Sequence, residues 1–232
     1  MTAETKVVRA AAAKLRDGNP EPRVPTVKLI DTSGSTHGEK NREINAASPI
    51  LRQELLKDQV AARRVELAVV TFGGKVEVAQ DFVSAAEFKP PVLEAQGATP
   101  MAEAILRAYD LIEERQARYE VSDLDAYGPW IFMVTDGEPT DSEELLAKAI
   151  KRIREGERRE REKRIAFFAV GVEGANMEQL ARISMRKPLK LKGLNYARMF
   201  AWLASSLTQI SRSRIGERVS LVNPIADGWA EV

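Results

Sequence analysis

The 232-residue chain contains no cysteine and a single histidine, His37. The absence of cysteine excludes disulfides, iron–sulfur clusters, thiolate zinc sites and cysteine nucleophiles. One histidine excludes a two-histidine zinc site, and a Ser–His–Asp triad would have to use His37. A metal bound by this chain must therefore take oxygen ligands, which favours magnesium, manganese or calcium over zinc.

The sequence also lacks long apolar runs. No stretch of about 18 apolar residues occurs, so no membrane-spanning helix is expected. The first residues have no apolar stretch typical of a signal peptide. With 44% hydrophobic and 30% charged residues, the composition is typical of a folded, soluble protein. We expect a cytoplasmic protein that does not bind membranes.

Charge is balanced overall but distributed unevenly. The net charge is +1, yet residues 148–218 carry 18 basic against 7 acidic side chains, a net of +11. The rest of the chain is therefore acidic, at −10. This asymmetry predicts one acidic and one basic end of the molecule.

Apolar runs typical of strands alternate with helical patterns along the chain. This alternation predicts an α/β fold: a Rossmann-like, doubly wound, mostly parallel six-stranded sheet with one antiparallel edge strand and helices on both faces. The predicted domain covers residues 25–213, after an N-terminal helical extension and linker (1–24) and before a C-terminal tail (214–232). Predicted strands are 27–30, 65–72, 76–78, 130–134, 165–172 and 188–191, and predicted helices are 41–62, 100–118, 142–164, 176–183 and 195–213.

Small oxygen-bearing side chains lie in three of the loops between these elements. Asp31, Ser33 and Ser35 alternate after the first strand, Thr99 precedes a helix, and Asp136 follows the fourth strand. Ligands of open α/β sheets bind outside the carboxyl ends of the strands. Two carboxylates and three hydroxyls there would suit a hard divalent cation, magnesium or manganese.

Asp31-Thr32-Ser33-Gly34-Ser35 resembles the Asp-x-Ser-x-Ser motif of von Willebrand factor A domains. In that family the motif joins a distant threonine and a distant aspartate, here Thr99 and Asp136, in a metal-ion-dependent adhesion site. Within the family, the chain is similar to the bacterial TerY-like proteins of tellurite resistance and stress signalling, chiefly through Leu67–Phe72 and Thr135–Asp141. The resemblance implies a protein partner that supplies an acidic side chain, with a kinase or phosphatase as a candidate.

Local roles remain open for several of these residues. The Asp31 loop could fill a turn and cap a helix, and Thr99 could cap the helix that it precedes. Asp141, Ser142 and Glu144 are expected to cap the next helix, with Glu138 or Asp141 as candidate neighbours of the site. His37 is expected at a solvent-exposed rim.

A non-enzymatic binding module is the leading functional interpretation. The first alternative is a metal-dependent phosphatase or hydrolase, since a strand-end aspartate also occurs in haloacid dehalogenase phosphatases. That family has a second aspartate where this chain has Ser33, so the general acid is missing. The second alternative is nucleic-acid binding through residues 148–218, which no recognised motif supports.

Overall fold

A computed structural model describes Leu15 and residues 18–231. Within these residues, seven strands form one sheet in the order β3-β2-β1-β4-β5-β6-β7. The strands are β1 (Val24–Asp31), β2 (Val65–Gly73), β3 (Lys75–Ser84), β4 (Trp130–Thr135), β5 (Ala166–Gly171), β6 (Leu189–Leu191) and β7 (Ala230–Glu231). The five inner strands are parallel, and the edge strands β3 and β7 are antiparallel. The predicted α/β fold, mostly parallel with an antiparallel edge, is confirmed, and the sheet gains a short seventh strand.

Helices cover both faces of the sheet. They are α1 (Glu39–Leu56), α2 (Gln59–Arg64), α3 (Met101–Val121), α4 (Glu143–Glu157), α5 (Met177–Ile183), α6 (Tyr196–Arg212) and α7 (Pro224–Asp227). Single 3₁₀ turns lie at Gly34–Thr36 and Arg161–Lys163. Helices α1, α2 and α6 bury their apolar sides against one face, and α3, α4 and α5 against the other. None of the helices described is long and apolar enough to cross a membrane.

Several predicted element bounds were wrong. The helix predicted over 41–62 is two helices, because the Asp58 carboxylate accepts hydrogen bonds from the amides of Val60 and Ala61 and starts α2 there. The helix predicted over 142–164 ends at Glu157. The predicted N-terminal helix falls almost entirely on residues outside those described, and the domain bounds stay predictions.

The segment predicted as a C-terminal tail packs onto the sheet. Its Trp229 is completely buried and lies 5.4 Å, between ring centroids, from Trp202 of α6. After Trp229, β7 pairs with β6. Burial of this large indole contributes, together with the pairing to β6, to holding the short edge strand in place.

Strand β1 lies at the centre of the sheet and is buried along its whole length. It contains Lys28, which is 2% exposed and has its ammonium 4.3 Å from the centroid of the Phe200 ring and 5.8 Å from that of Phe88. Burial lowers the pKa of Lys28 to about 7, because the charged form loses its hydration. The central strand therefore carries a cation that costs stability at neutral pH.

Sheet register places the predicted ligand loops together. Asp31, the last residue of β1, pairs with Phe72 of β2, and Ile30 pairs with Val134 of β4. Since β1 and β4 are parallel neighbours, both strands end at the same edge of the sheet. Asp31 and Asp136 therefore leave the sheet side by side.

Candidate metal centre

Asp31 is the buried anchor of the site. Its carboxylate is 5% exposed and accepts hydrogen bonds from the Ser33 amide at 2.8 Å and the Thr135 hydroxyl at 2.5 Å. Burial raises the pKa of Asp31 and the charge of Asp136 adds to the rise, while the two hydrogen bonds oppose it. The ionised form of Asp31 is therefore costly unless a cation lies nearby.

The two serines connect the first loop to Asp136. The Ser33 and Ser35 hydroxyl oxygens are 3.0 Å apart, and the Ser35 hydroxyl donates to Asp136 Oδ1 at 2.6 Å. Ser33 is buried, and the Thr36 hydroxyl donates to its carbonyl at 2.8 Å. These hydrogen bonds fix the alternating hydroxyls beside a carboxylate from the neighbouring strand.

The Thr99 loop is held against the first loop by backbone contacts. Gly34 N donates to Gly97 O at 2.9 Å, and Gly74 N donates to Ala98 O at 2.7 Å. Gly97 has φ +70°, and a Cβ there would lie 2.5 Å from the Gly74 Cα. Only glycine satisfies both this backbone conformation and this approach. The close packing brings Thr99 to the same edge as Asp31.

Thr99 and Asp31 face a common point. A Cβ added to Gly137 would lie 3.1 Å from Thr99 Oγ1 and 3.4 Å from Asp31 Oδ2. Thr99 is 6% exposed, and its hydroxyl makes no hydrogen bond to any residue that the structure describes. The absence of a side chain at Gly137 leaves space beside two oxygens from different loops.

Helix capping differs from the sequence expectation and explains the free hydroxyl. Thr99 does not cap α3; instead, the amides of Ala102 and Glu103 donate to the Asp141 carboxylate at 2.9 and 3.2 Å. Asp141 was expected to cap the following helix α4, a role that Ser142 performs. Because a distant carboxylate caps α3, the Thr99 hydroxyl is available to another group.

Sequence reasoning missed two side chains at the site. The Lys40 ammonium lies 2.5 Å from Asp136 Oδ2, and the Asp136 side chain is fully buried. Tyr196, the first residue of α6, is buried near the site, and its pKa is raised by burial and further by the charges of Asp136 and Asp31. Lys40 lies in the first turn of a helix, where the sequence indicates only a solvated charge.

Two other predicted neighbours lie outside the cluster. His37 is exposed, in agreement with its expected place at the rim. The Glu138 carboxylate accepts a hydrogen bond from Asn176 at 2.6 Å and is not bonded to the predicted ligands. Neither residue enlarges the set of oxygen donors.

The donor set fits a divalent cation. The structure gathers the five predicted residues at one edge of the sheet: Asp31, Ser33, Ser35, Thr99 and Asp136. Among the residues described, there is no group of three or more His, Asp or Glu side chains that could hold a metal without hydroxyl ligands. Two carboxylates do not fill the coordination shell of a hard cation, which takes about six or more oxygen ligands. The three hydroxyls are neutral oxygen donors that could occupy further positions. The assignment of individual ligands stays a prediction.

Comparisons with known proteins agree with the fold. The family model described as von Willebrand factor type A domain matches residues 27–197. Among solved structures, the vWF domain of the type V pili tip protein Mfa5 from Porphyromonas gingivalis has a TM-score of 0.62 at 12% identity, over 86% of this chain and 99% of that one. No curated protein matches the chain.

A second similar structure is that of proximal thread matrix protein 1 from the mussel byssus, solved with a zinc-occupied MIDAS motif. Its TM-score is 0.55 at 13% identity, over 83% of this chain and 49% of that one. The chain thus spans about half the length of the mussel protein. At these identities the structural likeness shows the fold alone.

Proposed function

The chain belongs to the von Willebrand factor type A domain family, and on that premise we propose that it is a non-enzymatic, metal-dependent protein-binding module. Its proposed ligand is a carboxylate of a partner protein. The observation that carries the proposal is the gathering of Asp31, Asp136 and three hydroxyl side chains at one edge of the sheet.

Asp31, Ser33, Ser35, Thr99 and Asp136 would hold Mg²⁺ or Mn²⁺, directly or through water. When bound, such a cation offers an open coordination position to an anionic oxygen from outside. Asp31 and Asp136 supply two negative charges, and the hydroxyls supply none. Because the two carboxylates only balance the charge of a divalent ion, its open coordination position and the neighbouring Lys40 ammonium would be what attracts a partner's Asp or Glu.

The chain's own residues prepare the site for this role. The hydrogen bonds to Asp31 from Ser33 and Thr135 fix the orientation of its carboxylate, and Ser35 fixes that of Asp136. Lys40 balances part of the charge of Asp136. Preorganised donors lose little conformational entropy on binding. Ordering of the loops therefore subtracts little from the binding free energy of the cation.

The finer proposal is a cytoplasmic, TerY-like protein in tellurite resistance or stress signalling, with a kinase or phosphatase partner. Its support is the sequence resemblance over Leu67–Phe72, over Thr135–Asp141 and in the aromatic C-terminal helix. The zinc in the mussel structure is that protein's own, and the all-oxygen donor set here favours Mg²⁺ or Mn²⁺.

The two alternative functions have less support. A hydrolase needs a general base, and the one histidine, His37, is exposed and forms no hydrogen bond with the Asp31 or Asp136 carboxylate, whose bonds go to other described residues. Nucleic-acid binding needs a continuous basic surface, but many basic side chains of 148–218 pair with acidic ones. Examples are Arg159 with Glu113 at 2.5 Å and Arg186 with Glu157 at 2.6 Å.

The test combines metal binding with partner retention. Mn²⁺ is titrated into the chain and into a Ser33→Ala/Ser35→Ala variant, with His37→Ala, which alters the same loop outside the donor set, as the matched control. We expect the double variant to lose at least about tenfold in Mn²⁺ affinity, because two neutral ligands are removed. The control should bind as the wild type does.

Partner retention is then measured on the immobilised chain in Mg²⁺. Proteins retained by the wild type and by His37→Ala should be released by EDTA and absent with the double serine variant. Retention that is unaffected by EDTA and by the serine substitutions would contradict a metal-dependent adhesion site.

A further inference from the structure

An open groove lies at the opposite end of the parallel strands from the metal loops. Its floor includes Trp130 and Ala166, the first residues of β4 and β5, together with Ile210 of α6 and Leu221. Asp136, directly after β4, lies six positions beyond Trp130, a distance of about 20 Å along an extended strand. The groove is therefore separate from the candidate metal centre.

Five arginines and one glutamate line this groove, which we call the arginine groove: Arg161, Arg164, Arg186, Arg214, Arg218 and Glu217. Its cavity volume is about 240 Å³, which is smaller than most pockets that enclose a small molecule, so it is a shallow groove. An apolar floor with a strongly basic rim suits a ligand that is itself apolar in part and anionic in part.

Only one of the five guanidinium groups, that of Arg186, pairs with a carboxylate of the described residues. The Arg186 guanidinium pairs with Glu157, at 2.6 and 2.9 Å, and that of Arg161 donates to a backbone carbonyl. Those of Arg164, Arg214 and Arg218 form no ion pair or hydrogen bond with any residue of the described part of the chain. Guanidinium groups at a groove, without carboxylates of their own, favour an anionic partner.

Acidic side chains near the groove do not cancel this charge. Glu217 accepts a hydrogen bond from the Arg214 amide at 2.7 Å, which holds its carboxylate against the backbone. Glu162 lies beside Gly216, where a Cβ would be 3.1 Å from its carboxylate. With Glu157, the partner of Arg186, three carboxylates face five guanidinium groups, so the rim keeps a net positive charge.

The aromatic residues of the floor argue against a nucleotide. Trp130 is 6% exposed, and the Arg186 guanidinium lies 5.0 Å from the centroid of the Phe168 ring. A base would need an open aromatic face on which to stack, and these two rings are covered. The unpaired arginines come from two segments of the chain, which favours several separated carboxylates over a single phosphate.

We propose that the arginine groove binds an acidic segment of a partner protein. An apolar side chain of that segment lies on the floor, and flanking Asp or Glu carboxylates pair with Arg164, Arg214 and Arg218. The interaction is independent of the metal centre and of the function proposed for it.

The test uses a fluorescent peptide with a central leucine between two Glu-Asp pairs, measured by anisotropy in EDTA so that the metal centre cannot contribute. Matched peptides carry the corresponding amides, a central glycine, or one phosphoserine with no carboxylate. We expect the acidic peptide to bind the wild type, with at least about a fivefold loss as NaCl rises from about 0.05 to 0.3 M. The amide and glycine peptides should each bind at least about tenfold more weakly, since each lacks one of the two contacts.

Charge-reversed variants locate the site. Arg164→Glu/Arg218→Glu should lose at least about 20-fold in affinity, because it replaces attraction by repulsion. The control Arg63→Glu/Arg154→Glu has the same change in net charge at two exposed arginines outside the groove and should stay within about twofold of the wild type. Thermal unfolding of both variants shows whether either has lost its fold.

Three results would overturn the proposal. One is an acidic peptide that does not bind the wild type in EDTA, including the case in which only the phosphoserine peptide binds. Another is an amide peptide that binds equally well. The third is an equal loss of affinity in the two double variants when both are folded, because binding would then depend on overall charge and not on the groove.

Discussion

The two ends of the parallel strands differ in what defines them. At the carboxyl end, backbone contacts among glycine-rich loops bring Asp31, Thr99 and Asp136 together, and the side chains are small and mostly buried. At the other end, the arginine groove owes its character to long, exposed side chains over an apolar floor. A rigid backbone suits a small ion that requires fixed ligand positions, whereas flexible guanidinium groups suit an extended chain of less regular shape.

The largest expected effect tests whether the two ends are independent. Asp136→Ala should weaken Mg²⁺ or Mn²⁺ binding by at least 100-fold, about 2.7 kcal/mol, because it removes one of two carboxylates at the site. Binding of the acidic peptide at the arginine groove should not change. Calorimetry measures the metal and anisotropy the peptide, with the exposed Asp110→Ala as control. Loss of both activities in a folded Asp136→Ala protein would break the comparison.

The next effect tests the backbone of the metal end. Gly97→Ala places a Cβ 2.5 Å from the Gly74 Cα at a φ of +70°, and we expect it to cost about 2–3 kcal/mol of unfolding free energy and to weaken metal binding. Gly193→Ala is the control, because Gly193 also has a left-handed φ, +58°, but nothing lies within 4 Å of its Cβ position.

Both alanine variants include the cost of a left-handed conformation, which is about 1–2 kcal/mol. The difference between their unfolding free energies therefore measures the effect of the close approach to the Gly74 Cα alone. Chemical denaturation measures both. Equal losses in the two variants would show that the loop contact at Gly97 contributes nothing of its own.

A third prediction concerns Lys28, which lies in strand β1 between the two ends. Lys28 has a pKa of about 7 in the folded protein against 10.5 for the free side chain. Between these pH values the unfolded chain binds a proton that the folded protein does not, so the stability of the wild type falls as the pH is lowered from about 10.5 to about 7. Lys28→Met should therefore stabilise the protein by about 2 kcal/mol at pH 7, after allowance for the lost ring contact with Phe200.

The gain from Lys28→Met should shrink as the pH rises towards 10.5, because the cost of losing the lysine's proton on folding falls as the pH approaches the pKa of the free side chain. Denaturation at pH 7 and near pH 10 measures it. Metal and peptide binding should both be unchanged, because Lys28 reaches neither end. A gain independent of pH would indicate improved packing and not the removal of a buried charge.

The smallest expected effect concerns Lys40. Its ammonium forms an ion pair with one carboxylate oxygen of Asp136, so it competes electrostatically with a divalent ion at the same carboxylate. Lys40→Met should tighten Mg²⁺ binding by about five- to tenfold, or about 1–1.4 kcal/mol. Lys57→Met removes a lysine that pairs with Glu54 on the surface and should have no effect. Weaker Mg²⁺ binding in Lys40→Met would show that the lysine supports the site.

Local sequence patterns determined the elements and the kinds of ligand. Alternating apolar runs predicted the strands and helices, and the oxygen-bearing residues after β1 and β4 predicted which side chains would meet, because parallel neighbouring strands end at one edge. Element ends were less predictable. The break between α1 and α2 depends on capping by Asp58, and β7 depends on burial of Trp229, neither of which has a distinctive local signal.

Contacts between distant residues were decided by the tertiary structure alone. Capping of α3 by Asp141, the pairing of Lys40 with Asp136 and the pairing of Arg159 with Glu113 each join residues 38 or more positions apart. Composition predicted a basic end, but only packing shows which of its arginines lack a carboxylate. Sequence periodicity specifies which side of an element is apolar, whereas the partner of each charge depends on the positions of elements that the chain brings together only on folding.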